Sequence, residues 1–456
     1  MTSKHVGCYW GTWAYSKFGL GTFWPEDVPV ELCDVIYYGF GNVLNNTYEM
    51  CSYDPWFDLG EPEFSDPSIP NCILERDGEE WPPGCMTTGG LEYCHEDGIR
   101  RAVDLKQKNP NLKVIFSVGG YNAGGWIFSQ LSQTEERRLM FIQSVIHFLK
   151  HFKLDGLDLD WEYPALDLVT GNPTGPNDKE HLTELVKELR FFFDIEGFLL
   201  TGAFAIDPAK AANAYDLPAI VDSFDWFNLM AYDYGGPWDP YTSTDAPLYK
   251  RPSEDDPNNE RYRFNMHDGV QYYISQGVPP EKISLGLHSE AKAWILDDPE
   301  MNGLDCPASP APNMTYSQQE GWLTYYEILQ FFYNETIEDP LWSDLKPGIE
   351  NWNIVSGEEN GCQLSPYAYQ GKYWVSYDDE DSIGRKARYA NHYGLLGAFI
   401  WEIDTDNFKG MFGKRPFTLL QAVNDAIESG RGLEEHELLE NIYPRCEPLA
   451  KSCKVK

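Results

Sequence analysis

The chain has 456 residues, with 35 Lys and Arg against 72 Asp and Glu, a formal net charge of −37. That charge excludes a nucleic-acid binder working by counterion release and disfavours an anionic membrane surface. Only 23% of residues are charged while 42% are hydrophobic and 15% aromatic, which excludes a disordered acidic chain and requires a folded one.

Eight short apolar runs follow along the chain, at 5–14, 33–43, 111–120, 153–163, 197–206, 224–234, 282–291 and 394–404. Each reads as a buried parallel strand. Between them the spacing predicts helices, most clearly over 134–152 and 178–194, where acids come early and apolar residues recur at i, i+3 and i+4. Strands alternating with helices in this number predict an α/β fold, the TIM (β/α)8 barrel. Two intervals are too long for simple crossovers. Residues 44–95, rich in Pro, Asp and Glu and holding Cys51, Cys72, Cys85 and Cys94, predict a disulfide-stapled loop insertion in the barrel. Residues 297–375, with Tyr325, Tyr326, Tyr367, Tyr373 and Trp374, predict a small α+β insertion subdomain between strands 7 and 8. The barrel is thus expected over 1–296 and 376–430, and 431–456 as an acidic, solvated C-terminal extension containing Glu434, Glu435, Glu437, Cys446 and Cys453.

Ten cysteines and three N-x-S/T sequons, at Asn45, Asn313 and Asn334, point to an oxidising, secreted setting; Asn172 is excluded by Pro173. No apolar stretch reaches the roughly 18 residues of a membrane-crossing helix. Met1-Thr2-Ser3-Lys4 runs into the first strand without a signal-peptide core, so a mature chain lacking its leader is expected. Spacing alone suggests pairing of Cys51 with Cys94, Cys72 with Cys85, Cys306 with Cys362 and Cys446 with Cys453.

The chemistry concentrates in Asp155-Gly156-Leu157-Asp158-Leu159-Asp160-Trp161-Glu162-Tyr163-Pro164. On a strand, alternate side chains share a face, so Asp158, Asp160 and Glu162 line up one way and Leu157, Leu159 and Trp161 the other. Neighbouring carboxylates on that face stand roughly 6.5 to 7 Å apart. Three acids inside a barrel cannot all ionise cheaply, so repulsion and desolvation raise at least one pKa, as a general acid working near neutrality requires. Glu162 falls at the C-terminal strand end, where barrel active sites lie. On an edge strand the same pattern would be a solvated face or a calcium or magnesium site; the apolar flanks and the fourth place of eight favour catalysis.

The segment resembles the D-x-x-D-x-D-x-E signature of family 18 glycoside hydrolases, the chitinases and chitinase-like lectins, and the resemblance extends over roughly residues 5 to 425. Ser117-Val118-Gly119-Gly120 resembles the family's third-strand S-x-G-G, Met230-Ala231-Tyr232-Asp233 its sixth-strand M-x-Y-D, and Gly397-Ala398-Phe399-Ile400-Trp401 its eighth-strand segment. The resemblance implies that Glu162 protonates the glycosidic oxygen while the substrate's own N-acetyl carbonyl attacks the anomeric carbon, the substrate-assisted form of a retaining glycosidase. It implies further that Asp160 orients the acetamido N–H, Asp158 holds a shared proton, Tyr232 donates to the acetamido oxygen and Asp233 helps bind the sugar. Trp401 is expected to floor the reacting subsite, with Trp13, Trp238, Tyr121, Met230, Gly120, Asp245 and Glu290 contributing to substrate binding. Cys8 and Cys33 match a family disulfide pair, and adjacent strand starts suit the bond's reach.

Departures fall on the seventh strand. Relatives usually read G-x-P-x-Y-G-R there; this chain has Gly286-Leu287-His288-Ser289-Glu290-Ala291-Lys292, so Glu290 and Lys292 replace the tyrosine and arginine. A Glu290–Lys292 pair would soften the effect of the new carboxylate on its neighbours. His288 and Glu290 share one strand face, where a satisfied barrel histidine is preferred to a metal ligand or proton relay. Tyr121 stands for a usual tryptophan and Asp245 for a common asparagine. The expected function is a secreted chitinase hydrolysing β-1,4 linkages between N-acetylglucosamine units; the alternative is a chitinase-like lectin, or a storage or matrix protein, that binds chito-oligosaccharides with little turnover. The expected partner is chitin or a chito-oligosaccharide, with no nucleic acid, membrane, metal or cofactor, and the protein is expected to be a monomer.

Overall fold

A computed structural model of the protein describes residues 5–59, 86–88, 91–93, 97–166, 174–251, 264–334, 339–442 and 453. Most of the expected 44–95 excursion, including Cys72, Cys85 and Cys94, lies outside the described residues.

Eight parallel strands form the centre: β1 (His5–Gly11), β2 (Val35–Val43), β3 (Lys113–Gly119), β4 (Gly156–Asp160), β5 (Leu199–Ala205), β6 (Trp226–Met230), β7 (Ile283–His288) and β8 (Gly397–Trp401). Each pairs with its neighbours, and β1 bonds both β2 and β8, so the sheet closes on itself as a TIM barrel. Closure leaves no free edge on these strands. Their apolar composition follows from burial on both faces: outward residues such as Leu157 and Leu159 meet the helices, while Tyr9, Val35, Tyr37, Ile115 and Phe399 fill the interior. Within it, Tyr9 and Tyr37 stack at 4.3 Å between centroids.

The helices obey local rules. In α1 (Glu135–Phe152), the Thr134 side chain accepts from Arg137 N, Glu135 and Glu136 occupy the first turn, and Phe141, Ile142, Val145, Phe148, Leu149 and Phe152 are buried. α2 (Asp178–Glu196) buries Leu182, Leu185, Val186, Leu189 and Phe193 and ends on left-handed Gly197.

Between β7 and β8 lies a six-stranded sheet whose strands Glu290–Leu296, Tyr373–Ser376 and Tyr367–Gln370 pair antiparallel. Only Ser289 separates β7 from its first strand, so this sheet begins at Glu290 and continues through Ser376. Trp294, Leu296, Leu304, Cys306, Ala308, Tyr367 and Trp374 form its own small core. Helix α3 (Tyr325–Tyr333) follows the strand Trp322–Thr324.

Cys8 and Cys33 are bonded, joining β1 to the approach to β2. Cys306 is bonded to Cys453, which corrects the expected Cys306–Cys362 and Cys446–Cys453 pairs: the terminal segment returns to the inserted sheet, where Cys453 N donates to Leu304 O at 3.0 Å. Cys51 and Cys362 are also disulfide-bonded. The tail is not solvated throughout. Glu437 is buried and ion-paired with Arg385 and Arg388 at 2.8 and 2.7 Å.

Candidate active site

Inward positions on β4 belong to Asp158 and Asp160. Asp158 is fully buried and accepts four hydrogen bonds: from Tyr9 Oη at 2.7 Å, Ser117 Oγ at 2.8 Å, Thr201 Oγ1 at 2.6 Å and Asn228 Nδ2 at 3.2 Å. These donors come from β1, β3, β5 and β6, each a polar residue facing inward on an apolar strand. Burial raises the Asp158 pKa and the four bonds pull it back.

Asp160, next along the same face, is buried, and its Oδ1 has no hydrogen-bond partner among the described residues. Burial, with the charges of Glu162 and Asp158 beside it, pushes its pKa well above the carboxylate range. Gly120 N donates to Asp160 O at 2.9 Å, and a Cβ on Gly119, at φ +113°, would collide with that oxygen, so the S-x-G-G segment needs glycine there. Glu162 lies two residues beyond the strand end and is half-buried. Burial raises its pKa to about 7, Asp233 adds to this, and a hydrogen bond with Tyr163 and the charge of Lys210 oppose it. The row therefore runs from a hydrogen-bonded carboxyl deep in the barrel to one that keeps its proton up to neutrality at the mouth.

The facing wall begins where β6 ends. Met230 and Tyr232 are half-buried and pack on the barrel's interior cluster. The Tyr232 ring lies 6.2 Å from Phe399 and 5.9 Å from His288. Asp233 has φ +59° and a side chain 45% exposed, and its backbone N donates to Asp245 Oδ1 at 2.8 Å. Asp245 does not face the groove, contrary to the sequence expectation: it is 1% exposed and supports Asp233 from behind. Burial pushes its pKa to about 7.

Lys292 Nζ reaches Asp233 Oδ1 at 2.9 Å, Glu290 Oε2 at 3.2 Å and Asp245 Oδ2 at 3.9 Å, over the ring of Trp322. Glu290 and Lys292 are thus paired. His288 is buried, with Nδ1 at 3.3 Å from Asp245 and Nε2 at 3.6 Å from Asp378; burial lowers its pKa to about 4, so it is neutral near pH 7. Among the described residues no group of three His, Cys, Asp or Glu side chains is placed to hold a metal.

Trp401, half-buried at the end of β8, packs against Tyr9, Phe40 and Trp13 with centroids 5.7, 5.8 and 6.2 Å away. Trp13, Tyr121 and Trp238 are exposed, and Trp238 lies 6.1 Å from Trp322. The structure brings the β4 acids, Tyr232, Asp233, Glu290 and Trp401 to one end of the barrel. Sequence reasoning placed Ser117 in a motif without its role, and missed the other three donors to Asp158, together with the parts played by Trp322, Tyr163 and Lys210. The donors left one signal, an isolated polar residue within each apolar run; Trp322 left none.

An eight-stranded parallel barrel with a graded row of acids at the C-terminal end of its fourth strand and an aromatic floor beside it defines a glycosidase-type site. The chain belongs to glycosyl hydrolases family 18, whose family model matches residues 5–406. It is similar to a probable chitinase 10 of Drosophila melanogaster, 29% identical over 452 residues, which cover 99% of this chain and 17% of that relative's length. Among solved structures it is similar to the Group IV chitinase of Ostrinia furnacalis in complex with allosamidin, at 30% identity and TM-score 0.76, covering 94% of this chain and all (100%) of that one. It is also similar to human YKL-39, a pseudo-chitinase with retained chitooligosaccharide binding properties, at 27% identity and TM-score 0.73, covering 93% and 100% of the two chains.

Proposed function

We propose that the protein is a secreted chitinase that hydrolyses β-1,4 linkages between N-acetylglucosamine units by a retaining, substrate-assisted mechanism. The observation carrying this reading is Glu162, a carboxyl that holds its proton to about pH 7 at the mouth of the barrel, two residues from a buried Asp160 with an unpartnered oxygen. Glu162 gives its proton to the glycosidic oxygen as the bond breaks, then takes one from the incoming water. Asp160 receives the acetamido N–H, turning the carbonyl oxygen towards the anomeric carbon, and stabilises the positive charge of the resulting oxazolinium-like intermediate. Asp158, fixed by its four donors, keeps Asp160 in place and shares its proton. Tyr232 donates to the acetamido oxygen and Asp233 binds the sugar. Trp401 carries the reacting unit on its face, with Trp13, Tyr121 and Trp238 as platforms along the groove. The bonded cysteines and the exposed sequon residues Asn45 and Asn334 support the secreted setting.

A second reading, a chitinase-like lectin with little turnover, is favoured by Glu290 and Lys292 at the seventh-strand positions and by the likeness to YKL-39. Hydrolysis of chito-oligosaccharides by the wild type and by Glu162→Gln, from about pH 3 to 9 with product anomers read by NMR, separates the two. β-Anomeric products that disappear in the variant establish the chitinase. Oligomer binding without turnover by the wild type establishes the lectin.

A further inference from the structure

Two of the aromatic rings at the barrel mouth come from opposite ends of the chain. Trp13 belongs to the short 3-10 turn Thr12–Ser16 that follows β1, and Trp401 closes β8. Their ring centroids stand 6.2 Å apart with the planes at 49°, and both pack on Phe40, at 6.1 and 5.8 Å. Trp13 is 39% exposed, so its angle to Trp401 is fixed only if something holds the ring and its turn from below.

That hold is built from residues the acid row does not use. Glu402, the residue after Trp401, is buried and turns its carboxyl towards the end of β1. A Cβ on Gly11 would stand 2.2 Å from Trp13 Cζ2 and 2.3 Å from Glu402 Oε2, so the indole edge and the carboxyl meet in the space that Gly11 leaves. Lys17, just past the turn that carries Trp13, reaches the same place. Its ammonium donates to Asp404 Oδ2 at 2.5 Å and lies 3.7 Å from Glu402 Oε1, a tie between positions 387 residues apart in the chain. From the other side the main chain is clamped. Ser289 N donates to Trp401 O at 3.0 Å, and Glu402 O accepts from Ser289 Oγ at 2.6 Å and Thr405 Oγ1 at 2.9 Å. The cluster is closed in charge as well. Burial, with Asp404 beside it, keeps the Glu402 carboxyl protonated well above the carboxylate range; burial opposes the Lys17 charge, and Asp404 outweighs it. One ammonium, one carboxylate and one neutral carboxyl leave nothing for a charged ligand to answer, so the use of the cluster is mechanical.

We propose that Glu402 and Lys17 are positioning residues for the sugar platform: Glu402 props the edge of Trp13, Lys17 ties the Trp13 turn to Asp404 beside Trp401, and the two rings are thereby preset at the angle in which one oligosaccharide chain lies on both. A preset pair of rings saves the ordering cost that a loose loop tryptophan would add to each binding event. This rests on the reading of Trp13 and Trp401 as sugar platforms, which a chitinase and a lectin share.

The test measures equilibrium binding of chito-oligosaccharides of increasing length in a Glu162→Gln background, where cleavage is blocked, for Lys17→Met, Glu402→Ala, Trp13→Ala and the two double variants that include Trp13→Ala. Lys17→Met and Glu402→Ala should each weaken binding about 2- to 10-fold, the cost of ordering one large side chain, and only at the lengths where Trp13→Ala weakens it too. In the Trp13→Ala background the same changes should cost less than about 2-fold, because no ring is left to position. Lys17→Arg, which keeps the charge, should restore binding. With Glu162 intact, KM should carry the loss and kcat stay within about 2-fold. Full losses that persist without Trp13, or no loss in either single variant, overturn the proposal. If Trp13→Ala itself leaves affinity unchanged at every length, the platform reading fails and the proposal with it. Glu402→Ala leaves the Lys17–Asp404 pair in place and so decides the matter if Lys17→Met does not fold. Absence of turnover with Glu162 intact would remove the chitinase reading alone, and the binding series would still decide this one.

Discussion

Asp158 keeps its place by accepting hydrogen bonds from four different strands, so its removal orphans four donors in the buried centre of the barrel. Asp158→Ala is expected to cost about 3 kcal/mol or more in chemical denaturation. The same network makes Asp158 a positioning group for Asp160, so kcat should fall with little change in oligomer affinity. At Glu162 the consequence is a pH limb. The proton it must donate is lost as pH rises through about 7, so kcat/KM should decline on the alkaline side of neutrality. Lys210 favours the charged carboxylate; Lys210→Gln should therefore move that limb to higher pH, and a shift to lower pH would contradict the assignment of Glu162 as the acid. The acids themselves were legible in the sequence because a period of two on one strand is local. Their partners were not, since Tyr9 and Asn228 reach Asp158 across 149 and 70 residues, and the burial of Asp245 depends on the inserted sheet behind it.

At the scale of elements, the inserted sheet delivers the buried Lys292 to Asp233, with its ammonium over the Trp322 ring. Lys292 and Trp322 are directly paired between the strands Glu290–Leu296 and Trp322–Thr324, and α3 starts immediately after. Its N-terminus is a capping box in which Glu327, fully buried, accepts from Thr324 N at 2.9 Å, Thr324 Oγ1 at 3.1 Å, Tyr316 N at 2.9 Å and Ser317 N at 3.2 Å. Thr324→Ala removes one cap and should cost about 1 kcal/mol. Glu327→Ala strands all four donors and should cost about 3 kcal/mol. Hydrogen exchange over 315–327 should accelerate more in the second variant than in the first; equal effects would mean the loop does not depend on Glu327. The barrel strands could be read from the sequence because each is a short apolar run buried on both faces, and α1 and α2 because their caps and apolar stripes are local. The inserted sheet could be sensed only as a length anomaly, and its start at Glu290 was hidden because the seventh apolar run continues across Ser289 without a break. The Cys306–Cys453 bond was hidden for a related reason: spacing says nothing about a tail that returns to a distant sheet.

For the whole molecule, what matters is how many of its acids are buried. Burial raises the pKa of Glu162 and Asp245 to about 7, of Asp406 to about 6 and of Asp58 to about 8. Unfolded, each would titrate near 4, so between that pH and its folded pKa the native chain holds a proton the unfolded chain has lost. Stability contributed this way is present at low pH and is lost as pH rises through the folded pKa. Two buried histidines act in the opposite sense. His5 and His288 titrate at about 4 when folded, so the unfolded chain binds more protons below about 6.5 and stability there rises with pH. The two effects offset one another in the acid range. Above about pH 6.5 the unfolded histidines lose their remaining protons and the carboxyls dominate, each able to lower stability by up to about 1.4 kcal/mol per pH unit while it stays protonated in the fold. The thermal midpoint should therefore fall steadily between about pH 6.5 and 8.5. Asp58 supplies the sharpest check, since it lies away from the acid row and accepts from Ser52 Oγ and Tyr38 Oη. Asp58→Asn should flatten the decline towards pH 8 by removing a carboxyl that holds its proton to about that pH; an undiminished slope would mean that the proton is held elsewhere.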